Sequence, residues 1–416
     1  MNSTAAGGGV AEMIAPVVGY GRSLGIDYRW LVLSADEEFF AVTKRADNGI
    51  SGVEGDGGPL GEAEHRIYEK VAASARGSLR EYVESGDLVF LHDPQTVGLI
   101  PEVRSIGAVP IWRCHNGSDE GNEHTERSWN FLDRYLAHSS AYVFTMRHFC
   151  PEHMRDRPVH VMAPFIDPCA AKNIRMSPIE ARRTLARWNI LSGDGHDRNP
   201  SSATIIRRGD APAPEVPMVV QVSRWDPVKD MAGVMSSFVE GPSWKHAYLS
   251  LIGPEVKGVA DDPEASDYFA HCLGLWNRLP DERKRRVQLV CLPMDNVFDN
   301  ALAVNSAQWH ATVVAQKSVS EGFGLTVTEA MWKGAAVLAS DVGGISLQID
   351  SGRNGVLVDP HDREGFSSSL EFLLENEHER DTIGASAYHH VRENHLPDGH
   401  FVSELDLAST LVKENP

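Results

Sequence analysis

Val319-Ser320-Glu321-Gly322-Phe323-Gly324-Leu325-Thr326-Val327-Thr328-Glu329-Ala330-Met331-Trp332-Lys333-Gly334 is the stretch whose reading decides the fold of this 416-residue chain. Two carboxylates, Glu321 and Glu329, stand eight residues apart, and Gly322 and Gly324 open a tight turn between them. Leu325 to Lys333 then reads as a helix with Gly334 as its stop. The preceding run, residues 311–316 (ATVVAQ), is apolar and β-branched, so the order is strand, glycine turn, helix. Such a junction aims backbone N–H groups and the positive end of a helix dipole at one point, which suits a phosphate. Glu321 precedes the helix, where it can reach a ligand's hydroxyls. Glu329 comes about 12 Å further on if the interval is helical, so one ligand touching both is long, like a nucleotide joined to a sugar. On spacing alone, solvated helix charges beside an ordinary glycine turn are the simpler explanation.

The residues after Gly334 tip the balance. Ala336-Val337-Leu338-Ala339-Ser340 is a short buried strand, then come Asp341-Val342-Gly343-Gly344 and a turn at 350–355 that feeds Val356-Leu357-Val358. Strand, helix, strand, glycine pair, turn and strand is the crossover rhythm of a parallel sheet, whose ligands sit at the carboxyl ends of its strands.

The stretch resembles the retaining GT-B glycosyltransferases of family 4, whose C-terminal domain carries a Glu-x7-Glu motif. The run EGFGLTVTEAMWKG (321–334), with VGG at 342–344 after it, is closer still to the trehalose-synthase-type transferases, which join glucose from a nucleotide sugar to free glucose. Met-Trp-Lys-Gly is the more specific part of that match.

Composition is compatible with this class. The chain has room for two or three domains, and 42% apolar residues suffice for large cores. A net charge of −19 with 39 basic residues argues against nucleic acid and anionic membranes as partners. A phosphate must therefore be met by a few placed Arg and Lys side chains. No apolar run approaches the ~20 residues that span a bilayer, and the N-terminus shows no basic-then-apolar signal pattern. Five scattered cysteines, at 114, 150, 169, 272 and 291, point to reduced thiols and a cytoplasmic location, and no Cys/His spacing resembles a zinc site.

Along the chain, Gly7, Gly8 and Gly9 precede an apolar helical pattern at Val10, Met13, Ile14, Val17 and Val18. A flexible tail or a ligand-approaching loop both fit. NSTxxGGGVAEM resembles the donor-side glycine loop of the trehalose synthases. The strand that precedes that loop in the family is here absent or almost so, and the expectation is either a truncated start or a dispensable strand. Asp27 to Leu33 reads as a strand. It leads to Asp36-Glu37-Glu38-Phe39-Phe40, where acidic and aromatic neighbours form either an acceptor wall (Asp36, Glu37) or a helix start with core phenylalanines. Residues 47–62, rich in Gly and Asp, read as a mobile loop. Asp87-Leu88-Val89-Phe90-Leu91-His92-Asp93-Pro94-Gln95 and Pro110-Ile111-Trp112-Arg113-Cys114-His115 are buried strands ending in polar groups. Both match the family, in which HDPQ and WRCH end two strands facing the cleft. The resemblance gives His115 to the donor sugar and His92, Asp93 and Arg113 to the acceptor side.

Residues 191–216 read as a surface loop. Met218 to Val222 is an apolar strand ending in Arg224 and, five residues on, Lys229, two cations able to clamp a diphosphate. The match to the family's VSRxDPxK element favours that over two exposed charges. Further strands are read at 249–253 and 287–292, and 362–416 is helical.

The resemblance covers nearly the whole chain and implies an α/β GT-B fold, two Rossmann-like domains facing across a cleft. Residues 1–165 form the acceptor side, 166–395 bind the nucleotide sugar, and 396–416 cross back to the first domain. It assigns catalysis to His115, Arg224, Lys229 and Glu321. Donor binding falls to Gly8, Gly9, Arg224, Lys229, Gly322, Phe323, Gly324, Leu325, Thr326 and Glu329. The nucleotide-diphosphate sugar is a co-substrate, no cofactor or metal is expected, the partners are that sugar and a small acceptor, and a homodimer stays open. Three rivals fit the same residues: a natural-product transferase with an O-, N- or S-acceptor, a trehalose phosphorylase, and a non-catalytic binder of nucleotide sugars.

Overall fold

The computed structural model describes residues 1–5, 9–193, 203–256 and 263–414. It divides into two compact units, Met1–Asp167 with His395–Pro416, and Pro168–Asn394.

The first unit is built on a parallel sheet, β1 (Leu88–His92), β2 (Val109–Cys114), β3 (Ala141–Phe144) and β4 (Val159–Val161), in that spatial order. Every residue of β2 and β3 is buried, as expected of strands covered on both faces. One face packs Trp112 and Phe144 with Phe39, Tyr68 and Phe131 from helices, and the other packs Ile111 and Val143 against Leu407 and Leu411. The latter pair belongs to helix Pro397–Glu414, so the end of the chain supplies a layer of this unit. Burying such a Leu side chain contributes about 2 kcal/mol.

Three local expectations change here. Among the described residues, Asp27–Leu33 makes a single bridge, Asn2 to Val32, with Asn2 N–H donating to Leu31 and Leu33 N–H to Asn2. A ladder needs a neighbouring strand, and among the described residues the pairing this segment makes is the bridge at Asn2. Alongside the rest, between it and β1, lies a cavity of about 350 Å3 walled by Met13, Val17, Phe165 and Phe401. Asp36 is the N-cap of helix Glu37–Ile50, its carboxylate accepting from Phe39 N–H, so the stretch Asp36–Phe40 opens a helix and Phe39 is buried in the core. That helix runs through Ile50, so the glycine-rich loop begins only at Ser51: Val42, Ala46 and Ile50 continue the buried face.

The second unit carries a seven-stranded sheet. Its strands are β5 (Thr204–Ile206), β6 (Met218–Val222), β7 (Tyr248–Pro254), β8 (Val287–Leu292), β9 (Val313–Gln316), β10 (Val337–Ser340) and β11 (Val356–Val358). The order is β11-β10-β9-β6-β7-β8-β5, parallel throughout except that β5 is antiparallel to β8. β5 lies inside the expected loop 191–216, of which 194–202 fall outside the described residues. Three β-prone residues suffice to close the β8 edge but are too few to show a period. From β6 the chain proceeds to β7 and β8 on one side and then to β9 on the other, so the topological switch point lies between β6 and β9. Helices cover the sheet by apolar spacing, as in Arg363–Glu375, where Asp362 caps Gly365 N–H and Phe366, Leu370, Leu373 and Leu374 form the buried stripe.

Candidate active site

In the second unit, β6 and β9 are neighbours, with Val219 beside Val313 and Val220 beside Val314. That register brings the segments leaving their carboxyl ends together. After β6 the chain passes Arg224 and Asp226, makes a short turn at Pro227–Lys229, and enters helix Met231–Glu240 through Asp230, whose carboxylate accepts from Gly233 N–H. After β9 it runs through Lys317, Ser318 and Glu321 into helix Leu325–Trp332.

The two segments are clamped by polar contacts. Val319 N–H donates to Val228 O at 2.8 Å and Lys317 Nζ lies 2.6 Å from Asp230 Oδ2, while Gln221 Nε2 braces the first segment by donating to Lys229 O at 2.7 Å. Lys317 is almost completely buried, so its charge is compensated by that carboxylate and by Pro360 O at 2.6 Å. Within this frame Lys229 Nζ meets Glu321 Oε2 at 2.6 Å, and Ser318 Oγ donates to the same oxygen at 3.1 Å. Arg224 stands at the rim, its side chain 64% exposed and 3.0 Å from Asp226 Oδ2.

The glycine turn is fixed by its neighbours. Gly324 has φ 85°, the left-handed region that favours glycine, and leads directly into the helix. Gly343, at φ 46°, presses on the turn so closely that a Cβ there would lie 1.9 Å from Glu321 O. Gly344 N–H donates to Glu321 O at 3.2 Å, and Gln348 Nε2 donates to Phe323 O. Phe323 itself is buried, so its side chain serves packing and only its backbone is offered to a ligand. Gly322, Leu325 and Thr326 keep partial exposure, and Thr326 Oγ1 donates to Gln316 at 3.2 Å.

Glu329 is apart from this group. It is 1% exposed and pairs with Lys172, Nζ to Oε1 at 2.9 Å. Lys333 Nζ donates to Glu329 O at 2.9 Å, and burial drives its ammonium down to about 7.

In the first unit the expected residues form a buried polar network. His92 Nδ1 lies 2.9 Å from His115 Nε2, with the rings nearly parallel. Burial, reinforced by Arg113 and His400, holds both imidazoles well below their ordinary value and thus neutral. Asp93, at φ 62°, opens the helix after β1 and accepts from His115 N–H at 2.9 Å. Burial and nearby Asp47 push its carboxyl up to about 8 against the opposing effect of the His115 N–H and Arg113. Arg113, given to the acceptor side by its motif, is closed into the interior: Nη1 lies 2.7 Å from His400 Nε2 and 3.4 Å from Glu404 Oε1. Burial alone would raise Glu404, but His400, Arg113 and Tyr28 hold it below its ordinary value. Glu37 is exposed on its helix, and Asp36, besides capping, sits 3.3 Å from Lys70. Gly8 lies outside the described residues, and Gly9 begins helix Gly9–Ser23.

Sequence reading passed over Lys172, Lys317, Ser318 and Lys333. A lysine directly after an apolar strand, as at Lys317, was the available signal. Lys172 offered none, because its partner is distant in the chain.

Comparison with known proteins fits this geometry. Residues 1–151 match the family described as Trehalose synthase, N-terminal domain, and residues 299–390 match Glycosyl transferases group 1. The trehalose synthase of Pyrococcus horikoshii is 33% identical over 99% of this chain and 89% of its own length. A trehalose phosphorylase of Pleurotus pulmonarius is 27% identical over 90% of this chain but only 52% of its own. Among solved structures, the UDP-forming α,α-trehalose-phosphate synthase of Burkholderia xenovorans, bound to glucose-6-phosphate, superposes with a TM-score of 0.67. It covers 89% of this chain and 84% of that one at 13% identity, a likeness of fold.

Proposed function

This chain belongs to the trehalose synthase family of GT-B glycosyltransferases, and we propose that it moves a sugar from a nucleoside-diphosphate sugar to a small acceptor, with retention at the anomeric carbon. The observation that carries the reading is the Lys229–Glu321 contact of 2.6 Å at the switch point of the second sheet. It sets a phosphate-binding cation beside a hydroxyl-binding carboxylate, as the bond between a sugar and its diphosphate requires.

In this reading the bond from the anomeric carbon to the diphosphate oxygen breaks, and oxocarbenium character develops on the sugar. Lys229, Arg224 and the amides from Gly322 to Leu325 stabilise the departing charge, which needs no metal ion. Glu321 holds the sugar's hydroxyls and Glu329 the ribose. The acceptor attacks on the face the diphosphate leaves, and a leaving phosphate oxygen takes its proton. His115, neutral in its buried setting, lines the donor sugar. Glucose is the first acceptor to consider, and an alcohol, amine or thiol of a natural product is the alternative. An odd count of five scattered cysteines, four of them buried, supports a reducing compartment, the cytoplasm. Among the described residues, no helix is long and apolar enough to cross a membrane.

A phosphorylase reading has the Pleurotus likeness in its favour, and inorganic phosphate would use the same cations. Calorimetric titration with UDP, GDP and ADP, using Lys229→Ala as control, separates the two. Micromolar binding of one nucleotide, lost in the variant, supports the transferase. Binding of phosphate alone, with phosphate-dependent breakdown of trehalose, supports the phosphorylase. Silence towards all four ligands overturns both.

A further inference from the structure

We infer that Lys172 is a positioning residue for the donor nucleotide: it holds in place the Glu329 carboxylate that receives the ribose. The inference rests on the proposed function and adds a residue that no motif contains.

Glu329 projects from the covered face of helix Leu325–Trp332 with 1% exposure. A carboxylate so placed needs a compensating partner beside it. Two lysines are near. Lys333, one turn further along the same face, donates to Glu329's backbone oxygen and lies 3.4 Å from Asn173 Oδ1. Its ammonium is half discharged near neutrality, so it is a weak counter-ion. Lys172 reaches the carboxylate itself at 2.9 Å and keeps 23% of its side chain exposed.

The backbone around Lys172 is pinned on both sides. Asn305 Nδ2 donates to Ala171 O at 3.0 Å and to Ile174 O at 2.9 Å. Trp332 Nε1 donates to Asn173 O at 3.0 Å, and its ring stacks on Tyr388 at 5.0 Å. The helix that carries Glu329 therefore also anchors, through Trp332, the segment that carries its counter-ion. Lys172 thus holds one Glu329 oxygen in a set direction, which leaves the other to accept from ribose hydroxyls.

The test compares binding of the nucleoside diphosphate that the native protein prefers with binding of its 2′-deoxy counterpart. Native protein, Lys172→Met and Lys172→Arg are titrated calorimetrically at pH 7. Native protein is expected to favour the ribonucleotide by about tenfold or more, the range of a hydrogen bond to a charged group. In Lys172→Met that preference collapses to within about twofold, because ribonucleotide affinity falls while deoxynucleotide affinity holds, and Lys172→Arg restores most of it. Equal losses for both nucleotides, or an unchanged preference, overturn the inference while leaving the transferase reading intact. If native protein binds no nucleotide, the proposed function falls and this inference with it. Should Lys172→Met fail to fold, Lys172→Gln carries the same comparison.

Discussion

Lys229–Glu321 in the second unit and Arg113–Glu404 in the first each join a cation just past or at a strand end to a carboxylate far away in the sequence. Their surroundings differ. The side chains of the first pair keep 14% and 12% exposure, with Arg224 nearby at 64%, whereas those of the second keep 3% and 8%. Water at the rim lowers the cost of separating Lys229 from Glu321, so a ligand's phosphate and hydroxyls can take the place of each partner. Separating Arg113 from Glu404 leaves two uncompensated charges in the interior, with His400 and Tyr28 also losing a partner. Similar residue types therefore form an ion pair open to water in one unit and hold a helix to a sheet in the other.

The comparison can be broken most directly at Glu404. Glu404→Ala should destabilise the protein by about 3–5 kcal/mol, read by urea denaturation, because Arg113 is left unpaired. Lys229→Ala should do the reverse, changing stability by only about 1 kcal/mol while lowering the rate of sugar transfer by about a hundred- to a thousandfold. A Lys229 variant that unfolds, or a Glu404 variant that keeps native stability, would show the two pairs to be alike.

Two buried groups sharpen the contrast through pH. Asp93 has its pKa raised from 3.8 to about 8, so its contribution to stability is full below pH 3.8 and is lost as pH rises through 8. Lys333 has its pKa lowered from 10.5 to about 7, so its contribution is full above pH 10.5 and is lost as pH falls through 7. Asp93→Asn, which still accepts from His115 N–H, should therefore gain on the native protein between pH 4 and 8 in thermal melts. The advantage of Lys333→Met over the native protein should shrink from pH 7 to 10.5. Differences that do not change across those windows would mean the groups titrate as they do in the unfolded chain. The smallest effect is expected at the rim: Arg224→Ala should slow transfer by about tenfold and leave the melt unmoved.

Much of this was legible in the sequence because it is local. The glycine turn, the helix from Leu325, the stop at Gly334 and the strand rhythm from β9 to β11 depend on backbone angles and neighbours a few residues apart, which residue types encode directly. The same holds for the apolar stripe of helix Gly9–Ser23 and for the α/β class. The extended segment 27–33 misled because β-prone residues announce a strand, while a ladder also needs a partner beside it. For Arg113 the motif gives residue and strand position, whereas its pairing is made by helix Pro397–Glu414 from the other end of the chain. What only the tertiary structure decided is which charges meet. Lys229 and Glu321 are 92 residues apart and touch because β9 lies next to β6 in register, and Lys172 reaches Glu329 because Asn305 and Trp332 pin its backbone there. Periodicity and propensity fix conformation along the chain, whereas charge pairing depends on strand order and register, which the sequence expresses only once the whole sheet has assembled.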